Sequence, residues 1–205
     1  MKRHNKHFFE RYAKFAVCYL LGYDREDIEN KDRPDLQTKS RDLGIEVVRA
    51  ISKHDGYTYN LIDRYFGKHL TGDKVIEEIR KQKHGFEGSL CTVEGRAVIS
   101  AEKGIYDSNK HERCIVKAIE EKTEKWKSYD KDYNEKGVYC FSHTGLLDES
   151  DYPTIISACK ASIFTLVFID CNDEILLWRT ESSEFMKHRI PEAVLSAWTE
   201  EAKQE

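Results

Sequence analysis

The chain has 205 residues, which is enough for one sizeable core and short for two domains. Hydrophobic residues make up 40% and charged residues 34%, with 3 Pro and 11 Gly, which excludes a disordered, collagen-like or linker-rich chain. The 33 Lys and Arg are outnumbered by 37 Asp and Glu, which excludes a protein that coats nucleic acid through bulk positive charge. Short basic clusters such as 187–189 are interpreted as solvated surface, with contact to nucleic acid as the alternative.

Up to residue 51 the sequence predicts a helix followed by a β-hairpin. Apolar residues recur at helical spacing over 7–22, and Gly22 supplies a stop. After a charged stretch, 24–33, two strands are predicted over 34–37 and 43–51, joined by a polar turn. The second strand is apolar on both faces for most of its length, as expected of a central strand that is covered on two sides.

Residues 55–110 depart from this pattern and are interpreted as an insertion. Helical spacing predicts helices over 59–69 and 73–83. Two short apolar runs, 90–93 and 97–99, predict a second hairpin. The insertion is therefore expected to contain both helices and a hairpin.

The remainder of the chain alternates helices and strands. The predicted elements are a long helix over 112–129, a strand over 138–142, a helix over 152–161, strands over 164–170 and 174–178, and a helix from Pro191. Such alternation favours a mixed α/β sheet with helices packed on it. Residues 1–205 are therefore predicted to form a single α/β domain that contains the insertion.

The cysteines indicate a reducing compartment. The six are spaced singly, with no CxxC pair and no metal-ligand spacing: Cys18, Cys91, Cys114, Cys140, Cys159 and Cys171. They are predicted to be free thiols, mostly buried. No stretch approaches the roughly 20 apolar residues of a membrane span, and no export signal is recognised. We expect a cytoplasmic protein without a membrane partner.

Glu46 is the first anomaly, because it interrupts the apolar run 43–48. A lone carboxylate there would lose its hydration and therefore needs a partner. In a hairpin, Asp35 on the preceding strand can point to the same place if the register puts both on one face. Two converging carboxylates repel each other, and a divalent cation such as Mg²⁺ resolves the repulsion. The alternative is that Glu46 pairs with Arg49 or Arg33 and that Asp35 is a turn residue.

Lys122 is the second anomaly. The apolar stripe of the long helix contains this lysine together with Ile115, Ala118, Ile119, Trp126 and Tyr129. One interpretation is that Lys122 extends from the apolar face into solvent. The other is that it reaches the carboxylate pair. Its charged neighbours lie off the stripe and are interpreted as ordinary surface charges: Glu120, Glu121, Glu124, Lys125 and Lys127.

The segments DRPDLQ and GIEVV resemble the signature of the PD-(D/E)xK nuclease superfamily, which places an Asp on one strand of a hairpin and a Glu on the next. Asp35 and Glu46 match these two positions. The helix segment IxxKTEKxxxY is similar to bacterial and phage-type proteins of the same superfamily. The resemblance implies a restriction-endonuclease-like fold, in which helices flank a mixed central sheet, and an enzyme dependent on Mg²⁺ or Mn²⁺.

The sequence departs from the signature at one position. The lysine expected two residues after Glu46 is replaced by Val48. Some members of the superfamily supply this lysine from a neighbouring helix, which makes Lys122 the candidate here. Arg49 is a weaker candidate, because strand alternation directs it to the opposite face from Glu46.

Other candidate site residues have less support. Gln37 lies on the same strand face as Asp35 and is predicted to contact the substrate or to support the site. Glu10 and His143 are weaker candidates. Glu10 is predicted to lie opposite the apolar stripe of the first helix, and a lone His is more often a hydrogen-bonded structural residue. The sequence contains no G-x-S-x-G nucleophile elbow and no Gly-rich phosphate loop, which disfavours a serine hydrolase and a nucleotide-driven enzyme.

The predicted function is hydrolysis of phosphodiester bonds in nucleic acid, with DNA as the favoured substrate. Asp35 and Glu46 would hold the metal, with a main-chain carbonyl such as that of Val47 as a further ligand. Lys122 would orient the attacking water or balance charge on phosphorus. The alternative is an inactive nuclease-like module that binds nucleic acid or a protein partner. The sequence is compatible with both a monomer and a homodimer.

Overall fold

The computed structural model describes residues 6–51, 72–81, 89–93, 96–100, 110–129, 132–142 and 147–204. In chain order the elements are α1 (Lys6–Leu21), β1 (Ile28–Asn30), β2 (Leu36–Thr38), β3 (Leu43–Arg49), α2 (Gly72–Arg80), β4 (Ser89–Val93), β5 (Arg96–Ser100), α3 (Lys110–Trp126), β6 (Glu135–Phe141), a 3₁₀ turn (Glu149–Asp151), α4 (Tyr152–Ala161), β7 (Leu166–Asp170), β8 (Glu174–Arg179), β9 (Met186–Arg189) and α5 (Glu192–Lys203). None of the helices described is long and apolar enough to cross a membrane.

The chain divides into two compact units. The larger contains His4–Ala50 and Asn109–Glu205, and the smaller contains Ile51–Ser108. In the smaller unit, α2 contacts both strands of the antiparallel β4–β5 hairpin. The hairpin and second helix predicted for the insertion are therefore confirmed, whereas the helix predicted over 59–69 lies outside the described residues. The single domain with an insertion stays a prediction.

The larger unit is built on a seven-stranded mixed sheet with the order β1-β2-β3-β6-β7-β8-β9. The central strands β3, β6 and β7 are parallel, and the strands on either side of them pair antiparallel. One hydrophobic core joins the sheet to α1 and α5, and the other joins it to α3 and α4. The prediction of a mixed α/β sheet flanked by helices is confirmed.

Strand β7 shows how both faces of the sheet are covered. All five of its residues are buried. Leu166 and Phe168 belong to the core beneath α1, while Val167 and Ile169 belong to the core beneath α3. A strand buried on both faces is apolar throughout, because successive side chains point to opposite faces.

The predicted hairpin is confirmed, but two edge strands were not predicted. Strands β2 and β3 are antiparallel, with Leu36 opposite Ile45. Strand β1 lies within the charged stretch 24–33, and β9 includes the basic cluster 187–189. Both are at the edges of the sheet. Edge strands tolerate charged side chains, which discourage pairing with other chains, so these two lack the apolar alternation of a half-buried strand.

The thiols agree with the sequence prediction. Five cysteines are free, of which four are buried and Cys114 is half-buried; the side chain of Cys91 lies outside the described part of the chain. Burial raises the pKa of the Cys171 thiol to about 11 and that of Cys159 to about 12. These two thiols are therefore neutral at pH 7 and act as small apolar core residues.

Asp170 is a buried carboxyl at the end of β7, on the sheet face opposite to α3. The Tyr139 hydroxyl donates to its Oδ2 at 2.7 Å, and the Asn172 N–H donates to its Oδ1 at 2.9 Å. Burial outweighs these two bonds and raises the pKa of Asp170 from 3.8 to about 6. The folded protein therefore binds a proton here more tightly than the unfolded chain does.

We expect Asp170 to make folding more favourable as the pH falls from 7 to 4. Below the pKa of Asp170 in the unfolded chain, both states are protonated and burial of the carboxyl carries no charge penalty. Above its pKa in the folded protein, the buried charge costs about 3 kcal/mol of stability, since one pKa unit corresponds to about 1.4 kcal/mol. Urea unfolding of wild type and Asp170→Asn at pH 7 and pH 4 measures how the free energy of unfolding depends on pH. Relative to the variant, wild type should gain stability at pH 4. A pH-independent difference would contradict the prediction.

Candidate functional site

The hairpin register puts two carboxylates on one face of the sheet. Asp35 directly precedes β2, and Glu46 lies in the middle of β3. Because Leu36 is opposite Ile45, extending the antiparallel register by one residue puts Asp35 opposite Glu46. Directly opposite residues present their side chains to the same face. Asp35 is 1% exposed and Glu46 is 0% exposed, so both are buried on the face covered by α3.

Helix α3 brings the Lys122 ammonium to both carboxylates. Its Nζ forms a hydrogen-bonded ion pair with Glu46 Oε2 and lies 3.8 Å from Asp35 Oδ2. The Lys122 side chain is 15% exposed. The predicted proximity is confirmed, and the alternative that this lysine extends into solvent is wrong. Its catalytic role stays a prediction.

Two further donors to Glu46 were not predicted. Lys125 Nζ donates to Glu46 Oε2 at 2.9 Å, and the Tyr129 hydroxyl donates to Glu46 Oε1. The interpretation of Lys125 as an ordinary surface charge is therefore wrong. Residues 122 and 125 are spaced i and i+3 on α3, which puts them on one side of the helix, so this spacing was a usable signal for Lys125. Tyr129 follows the end of α3 at Trp126.

The pKa of Glu46 reflects two opposing effects. Burial alone would raise it, but the attraction of Lys122 and the hydrogen bonds from Lys122, Tyr129 and Lys125 outweigh burial, so the pKa lies below its ordinary value. Glu46 is therefore ionised at neutral pH. Burial, together with the hydrogen bond to Glu46, raises the pKa of Tyr129. The tyrosine consequently remains a neutral donor.

The main chain of β3 orients Asp35. The Val47 N–H donates to Asp35 Oδ2 at 2.8 Å. Val47 follows Glu46 directly, so this bond connects the first carboxylate to the strand that bears the second. The separation of the two carboxylates therefore depends on the β2–β3 pairing rather than on flexible side chains.

Gln37 stabilises the segment that bears Asp35. Its Nε2 donates to the Pro34 carbonyl at 3.1 Å, and its Oε1 accepts from the Tyr133 hydroxyl at 2.8 Å. The side chain is buried. These contacts fit a supporting role, which is one of the two roles that the sequence left open for Gln37.

Gly44 leaves room for this arrangement. A Cβ at Gly44 would lie 2.8 Å from Tyr133 Cγ and 2.9 Å from Pro34 Cγ. Both are ring atoms close to the main chain, and the Tyr133 hydroxyl is already bonded to Gln37. Neither ring can move away without shifting the segment next to Asp35.

We expect Gly44→Ala to destabilise the protein by about 2 kcal/mol, because overpacking a rigid contact commonly costs about 1–3 kcal/mol. Urea unfolding measures the change. Gly137→Ala is the comparison variant on the opposite face of the sheet, where the nearest atom is the Ile45 side-chain Cγ1 at 3.0 Å. An aliphatic side chain can adjust more easily than a ring, so its cost should be smaller. Equal stability of Gly44→Ala and wild type would contradict the prediction.

The structure does not bring the arginine candidates to Glu46. The Arg49 guanidinium lies over the Phe9 ring of α1, 4.8 Å from the centroid, on the face of β3 opposite to Glu46. Arg33 Nε lies 3.7 Å from Asp32 Oδ2. The partners of Glu46 are therefore lysines and a tyrosine from the α3 side of the sheet, instead of the arginines considered in the ion-pair alternative.

The two weaker candidates are not part of this cluster. Glu10 is buried on α1, where its Oε2 lies 3.6 Å from His7 Nδ1. Helix α1 packs against the opposite face of the sheet from α3. His143 lies outside the described residues. The cluster is therefore formed by Asp35, Glu46 and the donors from α3 and its C-terminal end.

The cluster contains two carboxylates, whose oxygens are of the ligand type that a hard divalent cation prefers. Within the described ranges, no group of three or more His, Cys, Asp or Glu side chains could hold a metal ion. Mg²⁺ takes oxygen ligands and is usually bound through one or two carboxylates together with water and substrate phosphate. Asp35 and Glu46 already face one shared positive group, the Lys122 ammonium. The chain would thus supply Mg²⁺ with two carboxylates.

Comparisons of the chain with protein-family models, with curated proteins and with solved structures each find no match. Its function must therefore be inferred from the chemistry and geometry of the cluster.

Proposed function

We propose that the chain is a metal-dependent nuclease that hydrolyses phosphodiester bonds in nucleic acid, with DNA as the favoured substrate. The observation that supports this most directly is the convergence of Asp35 and Glu46 on the ammonium of Lys122. The three residues correspond to the Asp, Glu and Lys of the PD-(D/E)xK signature, with the lysine supplied by α3. The same correspondence supports a restriction-endonuclease-like fold as the finer fold class.

In this proposal Asp35 and Glu46 hold Mg²⁺ or Mn²⁺. When bound, the ion supplies positive charge and a more acidic water next to the scissile phosphate. The Val47 N–H keeps Asp35 oriented, and the Tyr129 hydroxyl does the same for Glu46. Lys122 orients the attacking water or stabilises the negative charge that develops on the phosphate.

A second candidate is an inactive nuclease-like module that binds nucleic acid or a protein. The observation in its favour is that both oxygens of Glu46 accept hydrogen bonds from the chain itself. Buried charges are usually paired in this way, whether or not they take part in chemistry. Such a module would bind its partner without requiring a divalent cation and without cutting nucleic acid.

A cleavage screen tests the proposal. The protein is incubated with single- and double-stranded DNA and RNA, each with Mg²⁺, with Mn²⁺ and with EDTA. We expect at least one substrate to be cleaved with Mg²⁺ or Mn²⁺ and not with EDTA. Asp35→Asn, purified in the same way, controls for contaminating nuclease. Binding without cleavage of any substrate would favour the inactive module.

A further inference from the structure

One oxygen of Glu46 accepts from two ammonium groups. Lys122 and Lys125 both contact Oε2, and they lie three residues apart on α3. Tyr129 contacts the other oxygen. The carboxylate is 0% exposed, so water does not compete for these positions. A cation that binds Glu46 at Oε2 must take the place of one of the two ammonium groups, because both lone pairs of that oxygen are used.

The charges of the cluster balance without a metal ion. Asp35 and Glu46 contribute two negative charges, and Lys122 and Lys125 contribute two positive charges. A divalent ion at the same carboxylates would lie next to two ammonium groups, and like charges within about 4–6 Å disfavour each other strongly. Release of one lysine removes one of the two sources of that repulsion.

The two lysines differ in how easily they can leave. Lys122 is 15% exposed and faces both carboxylates. Lys125 is 42% exposed, and Glu46 is its carboxylate partner among the described residues. Its Nζ also lies 5.6 Å from the centroid of the Tyr129 ring, which offers the ammonium a second favourable contact. Lys125 can therefore leave Glu46 at a small cost, because water and the Tyr129 ring replace part of the lost ion pair.

We propose that Lys125 is an exchangeable counter-ion of Glu46: its ammonium neutralises the carboxylate while the metal is absent and contacts a substrate phosphate once the metal is bound. This inference rests on the proposed metal-dependent nuclease. A lysine suits the role, because its ammonium is a compact charge on a flexible stem. Lys125 thus makes metal binding and nucleic-acid binding favour each other.

Metal binding tests the first half of the proposal. Mn²⁺ is titrated calorimetrically into wild type, Lys125→Met and Lys127→Met. We expect Lys125→Met to bind Mn²⁺ more tightly by up to about fivefold, because a partly exposed ion pair is worth at most about 1 kcal/mol. Lys127 is exposed and pairs with Glu124, so Lys127→Met should match wild type. Circular dichroism confirms that all three proteins are folded.

Nucleic-acid binding tests the second half. Affinity for labelled single- and double-stranded DNA is measured over a range of salt concentrations, with Ca²⁺ in place of Mg²⁺ to suppress cleavage. Loss of one phosphate contact should lower the affinity of Lys125→Met for DNA. It should also reduce the salt slope, which is the slope of the logarithm of the binding constant against the logarithm of the salt concentration, by about one. Lys127→Met should keep the wild-type slope.

The outcomes separate this inference from the proposed function. If wild type binds Mn²⁺ and Lys125→Met binds it equally well, the counter-ion role is wrong and the nuclease proposal stands. If none of the three proteins, wild type included, binds Mn²⁺, the metal-dependent function itself is overturned. Tighter Mn²⁺ binding with an unchanged salt slope would confine Lys125 to neutralising Glu46 and overturn the phosphate contact.

Discussion

Asp35→Asn is expected to fold as wild type does and to cleave nucleic acid about a thousandfold more slowly, because loss of a metal ligand removes several kcal/mol of transition-state stabilisation. The amide oxygen of Asn can still accept the hydrogen bond that Asp35 accepts from Val47. Asn therefore keeps the side chain oriented while lowering its affinity for a cation.

Single-turnover cleavage of the substrate found in the screen measures this effect, with urea unfolding as the test of folding. Mn²⁺ calorimetry should show weaker binding by the variant. Asp32→Asn is the matched control, because Asp32 is exposed and faces Arg33. An Asp35→Asn protein that is folded and cleaves at the wild-type rate would contradict the nuclease assignment of Asp35.

Lys122→Met is expected to lower the cleavage rate by about a hundredfold while keeping or raising thermal stability. Removal of one charged group that stabilises a transition state commonly costs about 10²–10³ in rate. Stability should survive, because Glu46 retains Lys125 and Tyr129 as donors. Met matches the length of the lysine stem, and removing a charge from a functional site commonly relieves strain that activity requires.

Thermal unfolding and single-turnover cleavage, normalised to folded protein, separate the two effects. Lys127→Met is the control from the exposed side of α3. If Lys122→Met unfolds at a lower temperature but each folded molecule cleaves at the wild-type rate, Lys122 is a structural partner of Glu46. The cluster would then lack its catalytic cation.

Glu46 and Lys122 could be predicted because each conflicts with its local pattern, whereas Asp35 followed from the hairpin and from the resemblance to the PD-(D/E)xK signature. Glu46 interrupts an apolar strand, and Lys122 interrupts the apolar stripe of a helix. A buried charge needs a partner, so a conflict of this kind indicates where charged groups meet. The same reasoning did not detect Lys125, because a residue at the margin of the stripe, 42% exposed, does not conflict with its surroundings.

The edge strands β1 and β9 were not predicted because they lack a hydrophobic pattern. Strands β1 and β9 contain charged residues and are mostly half-buried or exposed. Hydrophobic alternation arises only where one face of a strand is buried, so a strand at the edge of a sheet can lack it. Each edge strand pairs antiparallel with its neighbour along the chain, β1 with β2 and β9 with β8, so the pairing is local although neither edge strand shows hydrophobic alternation.

Apart from the edge strands β1 and β9, the sequence by itself determined the order of the described helices and strands. It also determined the β2–β3 hairpin and the buried position of Glu46, because periodicity and desolvation depend on local residue type. Only the tertiary structure decided which groups satisfy that carboxylate. Packing of α3 and of the residues that follow it against β3 brings Lys122, Lys125 and Tyr129 to a residue at least 76 positions away in the chain. Such contacts depend on the register and rotation of packed elements, which residue periodicity does not specify.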